Sequence, residues 1–172
     1  MWPEAVEVAK AHKAHIVVAV LGEEEKLLER GKLFTKAMAV CCKQKYATGV
    51  YTSGVVFEPR FYEGLADMLK EDELPIFNWV WFGLYRSEGG LNGYTYGMDV
   101  FGKEEMEVLN TDAEPEELRD FLASLASYVL ACDVTLQDGE TIGFSADDKH
   151  TITRSPGISL PEEQMTLKIG YE

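Results

Sequence analysis

The chain has 172 residues, with 30 acidic and 16 basic side chains, and its formal net charge is −14. Hydrophobic residues make up 46% of it and charged residues 27%, which excludes a disordered, collagen-like or disulfide-stapled chain. The acidic balance also argues against a nucleic-acid partner, since phosphate backbones select for clustered lysine and arginine.

The length and the cysteines predict one domain in a reducing compartment. A chain of this size is typical of a single domain, which we place over residues 1–172. Three cysteines, of which Cys41 and Cys42 are adjacent, are typical of reduced thiols. No apolar run approaches the ~18 residues of a membrane span, and the N-terminus lacks the pattern of a secretory signal. We therefore expect a cytoplasmic protein without a membrane partner.

The first half of the chain predicts helices alternating with strands. A helix is expected over residues 3–14, with a proline in its first turn. Residues 16–21 are apolar on both faces and largely β-branched, which predicts a buried central strand. A helix with one apolar stripe follows the acidic run 23–25. Residues 50–57 are expected to be extended with a break at Ser53-Gly54, and a helix follows Pro59.

The second half predicts hairpins around one long helix. A long strand is expected over residues 76–86, with a glycine-rich turn and a return strand over residues 94–98. A short strand over 105–109 and an amphipathic helix beginning near Pro115 come next. Residues 165–171 alternate between apolar and polar, as in a strand with one wet face. These elements predict an α+β fold, with a mixed, mainly antiparallel sheet and helices mostly on one face.

Motifs that would identify a reaction are absent from the sequence. Phosphate-binding, serine-hydrolase and zinc-protease patterns do not occur, and the glycines at 89–93 are typical of a hairpin turn. His12 and His15 have a spacing that could place both on one helix face, but His150 is far away in sequence. Acidic pairs such as Glu104-Glu105 are typical of solvated turns. We therefore assign no catalytic, cofactor-binding or metal-binding residue and expect no cofactor.

An aromatic hairpin is the most unusual feature of the sequence. Residues 77, 79, 81 and 85 recur at period two on the predicted long strand, and two tyrosines lie on the return strand. Core packing explains such a pattern, and so does a recognition surface, because tryptophan and tyrosine are favoured binding residues. The candidate binding surface consists of Trp79, Trp81, Tyr85, Tyr94 and Tyr96.

Several short motifs resemble a known family. They are Trp2-Pro3-Glu4-Ala5, residues 12–22 (HKAHIVVAVLG), residues 97–108 (GMDVFGKEEMEV) and residues 138–145 (DGETIGFS). Together they resemble the bacterial family labelled domain of unknown function 4261, to which no activity or site is attached. The resemblance implies another αβ segment before Trp2, whereas this chain begins there. A sheet without that segment would expose an edge or an apolar face, and we therefore expect a homodimer.

Charge distribution suggests the kind of partner. Residues 1–46 carry a net charge of +2, whereas residues 47–172 carry eight basic and 24 acidic side chains, a net charge of −16. The sequence favours a non-catalytic binding module, for example an immunity-like or inhibitor-like protein whose acidic face holds a basic protein. The alternative is a small-molecule or metal-dependent enzyme with a pocket beside the aromatic hairpin. A structural subunit of a larger assembly is a third class.

Overall fold

The computed structural model describes residues 2–145 and 148–171. The chain forms two compact units, residues 1–81 and residues 82–172. No helix in the described residues is long and apolar enough to span a lipid bilayer.

Unit 1 consists of four helices and one small hairpin. The elements, in chain order, are α1 (Ala5–Ala11), α2 (Leu27–Cys42), β1 (Val50–Thr52), β2 (Val55–Phe57), α3 (Pro59–Ala66) and α4 (Ile76–Trp79). Short 3₁₀ turns precede α2 and follow α3. The hairpin and α3 pack on α2 around the buried residues Cys42, Val50, Phe57 and Tyr62.

Local sequence explains the hairpin and the start of α3. Ser53 and Gly54, between β1 and β2, have φ angles of 50° and 72°, a left-handed conformation that suits a tight two-residue hairpin. The strands pair antiparallel with Thr52 opposite Val55. The Glu58 carboxylate accepts a hydrogen bond from the Phe61 N–H at 2.7 Å, and Pro59 occupies the first helical turn. Both features are favoured at a helix N-terminus, and they explain why α3 begins at Pro59.

Unit 2 is a six-stranded sheet with one long helix. Its strands are β3 (Trp81–Ser87), β4 (Gly90–Tyr96), β5 (Met106–Thr111), β6 (Thr141–Ile142), β7 (His150–Pro156) and β8 (Met165–Ile169). The spatial order is β3-β4-β5-β8-β7-β6. The β5–β8 pair is parallel, whereas the β4–β5, β7–β8 and β6–β7 pairs are antiparallel. The sheet is therefore mixed and mainly antiparallel, as the sequence predicted.

Helix α5 (Pro115–Ala131) packs on one face of this sheet. Its buried residues Leu118, Leu122, Leu125 and Val129 form the apolar stripe that the sequence predicted. At Gly93 of β4 a methyl group would lie 2.9 Å from a Leu122 methyl carbon and 3.0 Å from one of Leu118. Glycine at this position therefore allows the helix to approach the strand closely. The α+β fold class is confirmed.

The prediction of a buried central strand over residues 16–21 was wrong. These residues belong to no helix or strand, and Ile16, Val17 and Leu21 are exposed. An apolar β-branched run favours a strand only where neighbouring strands supply hydrogen bonds and cover. In unit 1 the only strands among the described residues are β1 and β2, which pair with each other.

The prediction of one continuous strand over residues 76–86 was also wrong. Residues Ile76–Trp79 form the single helical turn α4, and β3 begins only at Trp81. The Asn78 side-chain amide donates to the Tyr62 carbonyl at 3.2 Å, and the Trp79 indole N–H donates to Thr35 Oγ1 at 2.7 Å. Adjacent residues of a strand point to opposite faces, whereas the helical turn allows both side chains to reach buried acceptors.

Truncation of the α5 stripe should destabilise the protein. Replacing Leu122 with alanine leaves a cavity under β4, and we expect the free energy of unfolding to fall by about 2–5 kcal/mol. Urea unfolding followed by circular dichroism measures this change. The matched control is Ser124→Ala, on the exposed side of the same helix, which should change stability by less than about 0.5 kcal/mol. Equal losses in both variants would contradict the packing of α5 described above.

Candidate functional site

Three tyrosines of the predicted binding surface lie on β3 and β4. Tyr85, Tyr94 and Tyr96 form what we call the tyrosine face. Tyr94 lies over Gly83, where any added methyl group would overlap the Tyr94 ring. Tyr94 is also the register partner of Glu107 on β5, whereas its neighbour Gly93 faces α5. The tyrosine face is therefore the side of the hairpin that points away from α5.

The tyrosine face is bordered by the loop between β7 and β8, residues 157–164. The Tyr85 hydroxyl lies 3.1 Å from Ser159 Oγ of this loop. Tyr96 is 47% exposed, and Tyr85 is also exposed. Glu162 and Glu163 lie on the same loop and point into solvent. The face thus combines accessible aromatic rings, hydroxyl groups and a loop that carries exposed carboxylates.

A fully buried carboxylate holds this loop in place. One oxygen of Glu107 accepts from the backbone N–H groups of Ile158, Ser159 and Leu160 at 3.1, 2.7 and 3.1 Å. Its other oxygen accepts from the Lys168 ammonium at 2.9 Å and from the Thr166 hydroxyl at 3.1 Å. Successive N–H groups of this kind form a nest suited to an anion. The loop conformation and the position of Glu107 therefore depend on each other.

Burial and hydrogen bonding act in opposite directions on Glu107. Burial by itself would raise the pKa of this carboxyl group, but the bonds from Lys168, Ile158 and Ser159 outweigh it and lower the pKa. The face of residues 165–171 that was predicted to be solvent-exposed is therefore only partly exposed. Thr166 is buried, and the Lys168 side chain is only 14% exposed because both contact Glu107.

A second buried carboxylate, Glu105, directly precedes β5. Glu105 accepts from the Thr95 hydroxyl at 2.7 Å and from the N–H groups of Gly97 and Met98 at 2.7 and 2.9 Å. It is 1% exposed, so its interpretation as part of a solvated acidic pair was wrong. Burial raises its pKa, although the hydrogen bonds from Thr95 and Gly97 oppose that shift.

The structure does not place Trp79 on the tyrosine face. Trp79 is 4% exposed, and its indole N–H donates to Thr35 inside unit 1. The physical reason is the helical turn α4, which moves residue 79 off the strand and into a packed core. Trp81 is the first residue of β3 and is half-buried.

The remaining reactive side chains are dispersed. The His12 and His15 rings lie 6.2 Å apart at the surface of unit 1. Among residues 2–145 and 148–171, no cluster of three or more histidine, cysteine or acidic side chains could hold a metal ion. Burial raises the pKa of the Cys42 thiol to about 11, which disfavours the reactive thiolate.

One cluster of unit 2 was missed by the sequence reasoning. The His150 ring stacks on Tyr171 at 5.2 Å and contacts Phe121 at 4.7 Å. Its two nitrogens lie 2.9 Å from the Asp148 carboxylate and 2.7 Å from the Gly170 carbonyl oxygen. These contacts fasten the ends of β7 and β8 to α5. No spacing rule could have found the cluster, because its members are far apart in sequence.

The fold of unit 2 is that of an α+β domain whose central strand, β5, carries the buried carboxylate Glu107 and is directly preceded by the buried carboxylate Glu105. Residues 94–170, which include both carboxylates, Tyr94, Tyr96 and the loop 157–164, match the family described as Domain of unknown function (DUF4261). The resemblance found in the sequence is thereby confirmed over this segment. No curated protein and no solved structure matches the chain.

The two buried carboxylates should give opposite pH dependence. The folded-state pKa of Glu107 is lowered, so its ionisation stabilises the fold above the unfolded-state pKa, and this contribution is lost as the pH falls through the folded-state pKa. The stability difference between wild type and Glu107→Gln should therefore shrink between about pH 7 and pH 3.

For Glu105 the folded-state pKa is raised, so stability falls as the pH rises through the interval between the unfolded and folded values. The free energy of unfolding of the wild type minus that of Glu105→Gln should therefore increase as the pH falls over the same range. Urea unfolding at several pH values measures both differences. Parallel pH profiles for the two variants would contradict the assignment.

Proposed function

We propose that the chain is a cytoplasmic, bacterial, non-catalytic binding protein, whose tyrosine face holds a basic protein partner. The observation that carries the proposal is the exposure of Tyr85 and Tyr96 on one face of a strongly acidic unit, where Tyr85 contacts the loop that carries Glu162 and Glu163. Residues 82–172 contain 18 acidic and six basic side chains, a net charge of −12, whereas residues 1–81 have a net charge of −2.

The ion pairs of unit 2 support an acidic surface. Four of its six basic side chains pair with carboxylates of the same unit: Lys103 with Asp133, Arg119 with Asp120, Arg154 with Glu104, and Lys168 with Glu107. The positive charges of this unit are thus largely compensated by its own carboxylates, and the excess carboxylates set the field that a partner meets.

Exposed tyrosines suit the side chains of a basic partner. Lysine and arginine bind over aromatic faces through cation–π contacts, and the alkyl stems of these residues pack against the ring. The Tyr85 hydroxyl contacts Ser159, and the Tyr96 hydroxyl would supply a hydrogen bond at the edge of the contact. The three free cysteines, Cys41, Cys42 and Cys132, support a reducing compartment.

Affinity capture with single-tyrosine variants tests the proposal. The full chain is immobilised, exposed to a lysate of its source organism, and washed at about 0.05 M and about 0.5 M salt. We expect a retained protein of basic pI that the high-salt wash removes. Tyr96→Ala should weaken its binding roughly tenfold or more, since truncation of a hot-spot tyrosine costs that much. Titration of the identified partner measures the change.

The matched control is Tyr128→Ala on α5. Tyr128 is 46% exposed, against 47% for Tyr96, so the two variants remove equal aromatic surface from different faces of unit 2. Unchanged binding by Tyr96→Ala, or equal loss in both variants, would contradict the proposal. A native mass that exceeds the chain by a few tens or hundreds of daltons would instead favour the metal or small-molecule enzyme.

A further inference from the structure

The segment over residues 16–21, which we call the apolar segment, is exposed at Ile16 and alternates between exposed and half-buried residues from Val17 to Leu21. Val17 and Leu21 are 80% and 90% exposed, and Ala19 between them is also exposed. The intervening Val18 and Val20 are half-buried, and the Val20 carbonyl oxygen lies 3.4 Å from an Arg30 guanidinium nitrogen. Alternating exposure of this kind is the pattern of a strand with one free face.

The two ends of the apolar segment carry opposite charge. Lys13 and His15 precede it, and the acidic run 23–25 follows it. Glu23 forms an ion pair with Lys26 at 2.9 Å, but both side chains are mostly exposed, so this pair contributes little stability and leaves Glu23 accessible. The segment is therefore an uncharged centre between a basic end and an acidic end.

We propose that the apolar segment pairs antiparallel with the same segment of a second copy of this chain, about a two-fold axis at Ala19. In that register Val17 lies opposite the second copy's Leu21, and the basic end of each copy lies beside the acidic end of the other. His15 then faces Glu23, and Lys13 lies toward Glu25 in the 3₁₀ turn Glu24–Lys26 that follows the segment. Residues 15, 17, 19, 21 and 23 share one face of an extended chain, and all five are exposed in one copy.

Charge complementarity selects this arrangement. A parallel pairing in register places Lys13 beside Lys13 and the two acidic runs beside each other, and like charges directly opposite are destabilising. The antiparallel pairing replaces each of these contacts by an attractive one and is isologous, as a closed two-fold dimer requires. A pair of short strands buries little area, so we expect a weak dimer that forms at about 100 µM.

Cysteine cross-linking of the full chain tests the register. In a Cys132→Ser background, Ala19→Cys places two thiols directly opposite each other across the two-fold axis. Opposite residues of an antiparallel pair have Cα atoms about 4.5–5.5 Å apart, which is within disulfide range. We expect a covalent dimer with oxidised glutathione. Ala14→Cys, which is exposed on the same segment, should give none, because the two copies of residue 14 would lie roughly 30 Å apart.

Sedimentation velocity of the uncross-linked protein tests the energetics. Val17→Glu should abolish the dimer, whereas Val40→Glu, a matched change at an exposed position of α2, should leave it intact. Lys13→Glu should weaken self-association roughly tenfold, and Lys13→Glu combined with Glu25→Lys should restore it. Circular dichroism verifies that each variant is folded.

Four outcomes would overturn the proposal. They are a wild type that is monomeric at about 500 µM, cross-linking through both Ala14→Cys and Ala19→Cys as in a parallel pair, equal loss of dimer in the two valine variants, and failure of the charge swap to restore association. None of these outcomes bears on the tyrosine face, because the apolar segment lies in unit 1 and the capture experiment varies residues of unit 2 only.

Discussion

The buried carboxylate of Glu107 is the interaction on which the candidate site depends. A charge that is completely removed from water is tolerated only when enough donors surround it. Here the donors are three consecutive N–H groups of the loop 157–164, one hydroxyl and one ammonium. The loop cannot leave without breaking the three N–H bonds that it donates to this carboxylate. The position of Ser159, and with it the Tyr85–Ser159 contact at the border of the tyrosine face, follows from this one carboxylate.

Glu105 repeats the arrangement at the beginning of β5. Its carboxylate fills a nest of N–H groups at residues 97–99, where β4 ends and a 3₁₀ turn begins. Nests of this kind bind phosphates and other anions in many proteins, but here the chain supplies its own anion to both. The two glutamates thus have structural functions, and the charge of Glu107 is balanced locally by Lys168. The acidic surface consists of other residues, such as Glu162 and Glu163.

The parts of the fold that were predictable from sequence are those whose signals are local. The stripe of α5 repeats every three or four residues, and Ser53-Gly54 specifies its own turn, so each could be recognised within one short window. The nests could not, because Glu107 is bonded to residues more than 50 positions away. The same reason explains the errors. Residues 16–21 have the composition of a strand, but none of the described strands lies beside them. The position of Trp79 is determined by its hydrogen bond to Thr35, which is distant in sequence, and not by strand periodicity.

For the candidate site, the sequence predicted the residue types and the hairpin that carries them, but not which side chains are exposed. The concentration of aromatic residues pointed to the β3–β4 hairpin, and Tyr85, Tyr94 and Tyr96 do lie there. Which rings are accessible depends on Gly83 and on the loop 157–164, and neither effect can be read from residue spacing.

The charges of the two surfaces favour different occupants. A second copy is a poor partner for the tyrosine face, since two units of net charge −12 repel each other. The apolar segment suits a second copy, because in an antiparallel pair the basic end of each copy lies beside the acidic end of the other. The two proposals therefore assign self-association to unit 1 and the basic protein to unit 2, and raised salt should weaken the second contact more than the first, whose centre is apolar.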